Sequence, residues 1–80
     1  MVNTQLLDER ILKSGLRVGF ICEKIGISRA AFDKKKKNAY KFRQSERFVL
    51  NSLLNLSEEE SKAIFFADEV EKELNAKGGE

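Results

Sequence analysis

Val18-Gly19-Phe20-Ile21-Cys22-Glu23-Lys24-Ile25-Gly26-Ile27-Ser28-Arg29-Ala30-Ala31-Phe32-Asp33-Lys34-Lys35-Lys36-Lys37 is the stretch that decides the architecture. Val18, Ile21, Cys22 and Ile25 recur at i, i+3, i+4 and i+7, one stripe of an α-helix. Gly26 accepts the positive φ that ends such a helix and turns the chain steeply. Ile27 supplies an apolar plug for the turn. Ser28 is an N-cap that satisfies the orphan amides of the next helix. The pattern predicts a helix over residues 17–25, a tight turn, and a helix over residues 29–36. In the second helix Phe32 is the one large apolar anchor, and Ala31, like Cys22, is small enough for close helix contact.

Working outward, Asn3 or Thr4 caps a first helix that ends before Gly15 and buries Leu7 and Ile11. Gly15 suits a left-handed terminal position that returns Leu16 onto Ile11. After the lysine run, residues 38–42 read as a loop. A fourth helix from Gln44 or Ser45 to Leu54 carries Phe48, Val49, Leu50, Leu53 and Leu54, and Asn55 takes a left-handed turn. Ser57-Glu58-Glu59-Glu60 is a capping box with its glutamates on the favourable end of the helix dipole, so a fifth helix starts at Glu58. Its end is open between two patterns. Ala63, Phe66 or Ala67, Val70 and Leu74 continue one stripe, whereas Phe65-Phe66 marks a change of direction. The expectation is a single all-α domain of four to five short helices over residues 1–75, with residues 76–80 fraying.

Eighty residues, 41% hydrophobic and 35% charged, are enough to bury one core and leave an ionised surface. No apolar run reaches membrane-spanning length, and the N-terminus lacks a basic-then-apolar export pattern, so a cytoplasmic protein with no membrane partner is expected. Cys22 is the only cysteine and there is no histidine. An internal disulfide, the usual zinc ligand sets and imidazole catalysis are excluded, and Cys22 reads as a small core residue. Neither an enzyme nor a cofactor is expected.

The net charge of +2 conceals a partition. Residues 1–28 hold four basic and three acidic side chains, +1. Residues 29–47 hold eight basic (Arg29, Lys34, Lys35, Lys36, Lys37, Lys41, Arg43, Arg47) against two acidic, +6. Residues 48–80 hold three basic and eight acidic, −5. Four consecutive lysines repel one another, and a helix with a single apolar anchor carries them, so an external polyanion is indicated. Their place directly after a Gly-Ile-Ser turn favours duplex DNA. Single-stranded RNA is disfavoured because the aromatics fall at core spacing.

Ile21-Cys22-Glu23-Lys24-Ile25-Gly26-Ile27-Ser28-Arg29, then Phe32, then Leu53-Leu54-Asn55-Leu56-Ser57-Glu58-Glu59-Glu60 and Ile64-Phe65-Phe66, resemble the short phage and prophage regulators of the lambda-repressor-like helix-turn-helix superfamily. The resemblance covers residues 4–66, with the helix-turn-helix at residues 17–37. The chain departs from the family's habit at Val18-Gly19, where Gln or Thr often opens the second helix. It departs also at Cys22, commonly Ala, and at Asn55, commonly Gly.

The resemblance implies a Cro-like transcriptional repressor that reads operator DNA in the major groove as a homodimer. Residues 29–36 are then the reading helix. Arg29 and Ala30, with Asp33 and Lys34 one turn on, face the bases: Arg29 and Lys34 suit guanine, Ala30 a thymine methyl, and Asp33 a cytosine amino group or Arg29 itself. Arg17, Ser28, Lys35, Lys36, Lys37, Asn38, Tyr40 and Lys41 fall to the phosphates. Phe65, Phe66, Val70 and Leu74 are candidates for a dimer or partner contact. The alternative is an antirepressor-type regulator that binds another phage regulatory protein.

Overall fold

In a computed structural model, which describes residues 1–68, the chain forms five α-helices and no strand among the described residues: α1 Thr4–Ser14, α2 Val18–Ile25, α3 Arg29–Lys36, α4 Gln44–Leu53 and α5 Glu58–Phe65. The caps explain the boundaries. Asn3 accepts from the Leu6 amide, Ser28 from that of Ala31 and Ser57 from that of Glu60. The Ser57 box closes reciprocally, Glu60 accepting from the Ser57 amide at 3.0 Å. Gly26, at φ 88, ends α2 with its amide on the Cys22 carbonyl.

Two asparagines end helices in the same way. Asn38 (φ 69) follows α3 and Asn55 (φ 51) follows α4. In each case the next residue's amide reaches back five residues, Ala39 to the Lys34 carbonyl and Leu56 to the Asn51 carbonyl. These are Schellman closures with asparagine where glycine is commoner. Gly15 is also left-handed, but the amide of Leu16 is taken by the Ser14 hydroxyl, not by a carbonyl of α1.

The core contains Leu7 and Ile11 of α1, Ile21 and Cys22 of α2, Phe32 of α3, Leu50 of α4, Leu54 beyond it, and Ile64 and Phe65 of α5. Val2 and Phe42 join it from outside the helices. Phe42 stands edge-on between Phe32 (5.8 Å between centroids) and Phe65 (5.7 Å), so the loop before α4 is pinned by its last aromatic. Helix α2 packs on α3 and α4, and α1 packs on α5. No helix among the described residues is long and apolar enough to cross a membrane.

Helix α5 ends at Phe65, and Phe66 leaves helical geometry at φ −127, ψ 42. Of the two patterns open in the sequence, the change of direction is the one adopted here. Phe65 is 4% exposed and completes the core, so its assignment to a dimer or partner surface is corrected. Phe66 is half-buried against the core, with the Arg47 guanidinium 5.2 Å from its ring centre. Val70 and Leu74 lie outside the described residues. Of the apolar residues that α4 carries, Phe48 is 75% exposed while Leu50 is fully buried.

Candidate nucleic-acid interface

Helix α3 presents two faces because 3.6 residues make a turn. Arg29, Ala30, Asp33, Lys34 and Lys37 fall on one side, and Ala31, Phe32 and Lys35 on the other. Phe32 and Lys35, three residues apart, point into the protein. Arg29, Ala30, Lys34 and Lys37 are exposed. Arg29 has no ion pair among the described residues. Ala30 and Arg29, with Val18 at the start of α2, Phe32, Asp33 and Lys36, border a groove of about 340 Å³. The openings of both helices therefore share one surface concavity.

Asp33 pairs with Lys37 one turn on, at 3.1 Å, and not with Arg29. Both groups are well exposed, so this pair is worth a few tenths of a kcal/mol, ~0.3–0.5. It leaves the Arg29 guanidinium free to meet a ligand. Lys34 lies with its ammonium 5.7 Å from the ring centre of Tyr40, which is itself 58% exposed. Lys41 follows, exposed, beside Tyr40 on the rim of a cleft of about 450 Å³ that also reaches Arg47 and Phe66. Arg17 is exposed at the N-cap position of α2, and its side chain does not cap the helix. Ser28 is exposed, but its hydroxyl oxygen already serves the Ala31 amide.

Comparisons with protein-family models, curated proteins and solved structures return no match.

Three residues cast as phosphate contacts are otherwise engaged. The Lys35 ammonium sits between both oxygens of Glu46, at 2.7 and 2.6 Å, with side chains only 13% and 7% exposed. Its place on the Phe32 face takes it inward. Lys36 reaches Asp8 of α1 at 2.9 Å. Asn38 spends its amide on the backbone of residue 2: Oδ1 accepts from the Val2 amide at 2.7 Å and Nδ2 donates to the Val2 carbonyl at 3.1 Å. The outward cations of this segment are thus Arg29, Lys34, Lys37, Lys41 and Arg43, with Arg17 alongside in sequence.

Glu46 is the one buried charged side chain among the described residues. Burial pushes its carboxyl up, but the Arg43 amide (2.7 Å) and the Lys35 ammonium outweigh that and hold it below the usual glutamate range. The same carboxylate therefore starts α4 and fixes the inner side of α3. Sequence reasoning missed this role, although Glu46 stands third in α4, where a carboxylate returns to the N-cap amide. Cys22 is buried, and its thiol is pushed up by that burial, which suits a core residue and not a nucleophile.

Proposed function

We propose that this chain binds duplex DNA in the major groove as a lambda-repressor-like helix-turn-helix transcriptional regulator of the Cro type, with α3 as the reading helix. The observation that carries the reading is the outer face of α3. Arg29 and Ala30 stand exposed in its first turn, immediately after a left-handed glycine and a serine cap. Exposed Lys34, Lys37 and Lys41 flank them, and Phe32 holds the opposite side in the core.

A helix inserted in the groove presents its first turns to base edges and its end to phosphates. Arg29 suits a bidentate contact with guanine, and Ala30 an apolar contact with a thymine methyl. Asp33, bound to Lys37 in the free protein, is placed to accept from a cytosine amino group once Lys37 turns to the backbone. Arg17, Lys34, Lys37, Tyr40 and Lys41 set register.

Enrichment of duplexes from a random pool, followed by titration of the enriched and a scrambled duplex at several salt concentrations, tests this. The expected result is one enriched sequence and affinity that falls steeply with salt. No enrichment, or binding flat in salt, overturns it. In that case the second reading stands, a regulator that binds another protein. Phe48 favours it: a phenylalanine 75% exposed on α4 has no role in the monomer core.

A further inference from the structure

The reading helix is tied down at its far end by groups that belong to none of the proposed DNA contacts. Asn38, the residue that closes α3, grips both polar groups of one residue, Val2. The Thr4 hydroxyl donates to the Lys36 carbonyl at 2.6 Å, in the last turn of α3. The next backbone amide after Val2, that of Asn3, donates to the Ile64 carbonyl of α5 at 2.7 Å. Val2 itself is buried in the core. Residues 2–4 thus form a strap with one edge on the end of α3 and the other on α5.

Helix α3 needs such a strap. It is eight residues long and keeps one large side chain, Phe32, in the core. A single anchor resists withdrawal but leaves rotation about the anchor point cheap. Fixing the far end removes that freedom. The Lys35–Glu46 pair holds the side of α3 toward α4, and Asn38 holds its end toward the strap. A change of a few degrees at Lys37 displaces Arg29 at the other end of the helix. Bidentate base contacts require placement to a few tenths of an ångström, whereas phosphate contacts by flexible lysines do not.

From this geometry we infer that Asn38 is a positioning residue for sequence reading, aiming Arg29 and Ala30 through its clasp on Val2 and not touching DNA through its amide. This rests on the duplex-binding proposal above. Asn38 is neutral, so its role is separable from electrostatic affinity. It also has positive φ, and the replacement must keep that backbone. Asn38→Gly does so without strain while removing the clasp; Asn38→Asp keeps the accepting oxygen, removes the donor and adds a negative charge, so it is read only through the ratio of the two duplexes.

The experiment titrates wild type, Asn38→Gly and Asn38→Asp against the enriched duplex and its scrambled counterpart. Ile11→Val serves as a control destabilised in the core, and all are held well below their melting temperatures. The expected result is a roughly tenfold loss for Asn38→Gly on the enriched duplex, about one mismatched base pair's worth. For Asn38→Gly, scrambled duplex is bound as before with an unchanged salt slope; Asn38→Asp, whose added negative charge weakens both duplexes, has an enriched-to-scrambled ratio between wild type and Asn38→Gly, and Ile11→Val keeps the wild-type ratio. Equal losses on both duplexes overturn the inference and make Asn38 a backbone contact. Wild-type affinity of Asn38→Gly on both duplexes overturns it as well while leaving the duplex-binding proposal standing. If no duplex enriches with the wild type, both fall together.

Discussion

Glu46 carries a carboxylate into a site 6% exposed, and Lys35 and the Arg43 amide keep it ionised there. Because its folded pKa lies below the unfolded value, the stabilisation is full above the ordinary glutamate range, about 4.3, and is lost as pH falls through the folded value. Glu60, held low by its bonds to Ser57, adds to the loss in the same direction. Glu46→Gln should therefore cost about 1–3 kcal/mol at neutral pH and flatten, without abolishing, the decline toward acid. Denaturant midpoints from pH 7 to pH 3 measure this, and a variant curve parallel to wild type contradicts it. Arg29 presents the opposite case, a charge kept outside. Arg29→Ala should cost about 1–3 kcal/mol on the enriched duplex and relax one base pair. Equal losses on scrambled DNA demote Arg29 to a backbone contact. That Arg29 is outward follows from its place in the first turn, directly after the Ser28 cap, and not from periodicity, since it stands three residues from Phe32 just as Lys35 does. The inward turn of Lys35 was therefore not legible from periodicity alone, because it is Glu46 of α4 that draws the ammonium in. A run of four identical lysines hides it, because composition treats them alike. Asn38 was not legible: no local signal says that its amide meets Val2, 36 residues away.

At the scale of elements, the end of α2 and the start of α3 were written in Gly26 and Ser28, and local cap chemistry is why the chain turns where expected. The end of α5 was not written locally. Phe65 belongs inside with Phe42, whose place in the core depends on how the loop before α4 folds back. Once Phe65 is buried, the helical stripe that continued through Phe66 is broken. Two glycines allow the turn to be tested apart from packing. A Cβ at Gly26 meets nothing within 4 Å, yet its φ is +88, so Gly26→Ala should destabilise through the backbone alone, by about 1–2 kcal/mol. Gly19 has equal space and no positive φ, inside α2. Gly19→Ala should stabilise by about 0.5–1 kcal/mol. Opposite shifts in denaturant midpoint are expected, and a shift in the same direction for both contradicts the assignment of the turn.

Across the whole molecule, the sequence partition of +1, +6 and −5 overstates the charge offered outward. Within the +6 segment, Lys35 is spent on Glu46, Lys36 on Asp8, and Arg47 donates to the Phe42 carbonyl at 2.8 Å while stacking on Phe66. These cations hold α1, α3, α4 and the residue that follows α5 together. The charge open to an outside polyanion is the smaller exposed set, and counterion release counts only charges that reach phosphate. Two lysines separate these roles cleanly. Lys41 is exposed beyond α3 and forms no ion pair among the described residues. Lys36 is held by Asp8, whose side chain is half exposed, so removing Lys36 leaves no buried charge behind. Lys41→Ala should lower the slope of log affinity against log salt by about one unit on enriched and scrambled duplex alike. Lys36→Ala should leave the slope where it was and act through stability alone, by a few tenths of a kcal/mol, ~0.2–1. A slope that falls equally for both means that Lys36 exchanges Asp8 for phosphate on binding. The end of α3 then approaches the backbone more closely than its contacts in the free protein indicate.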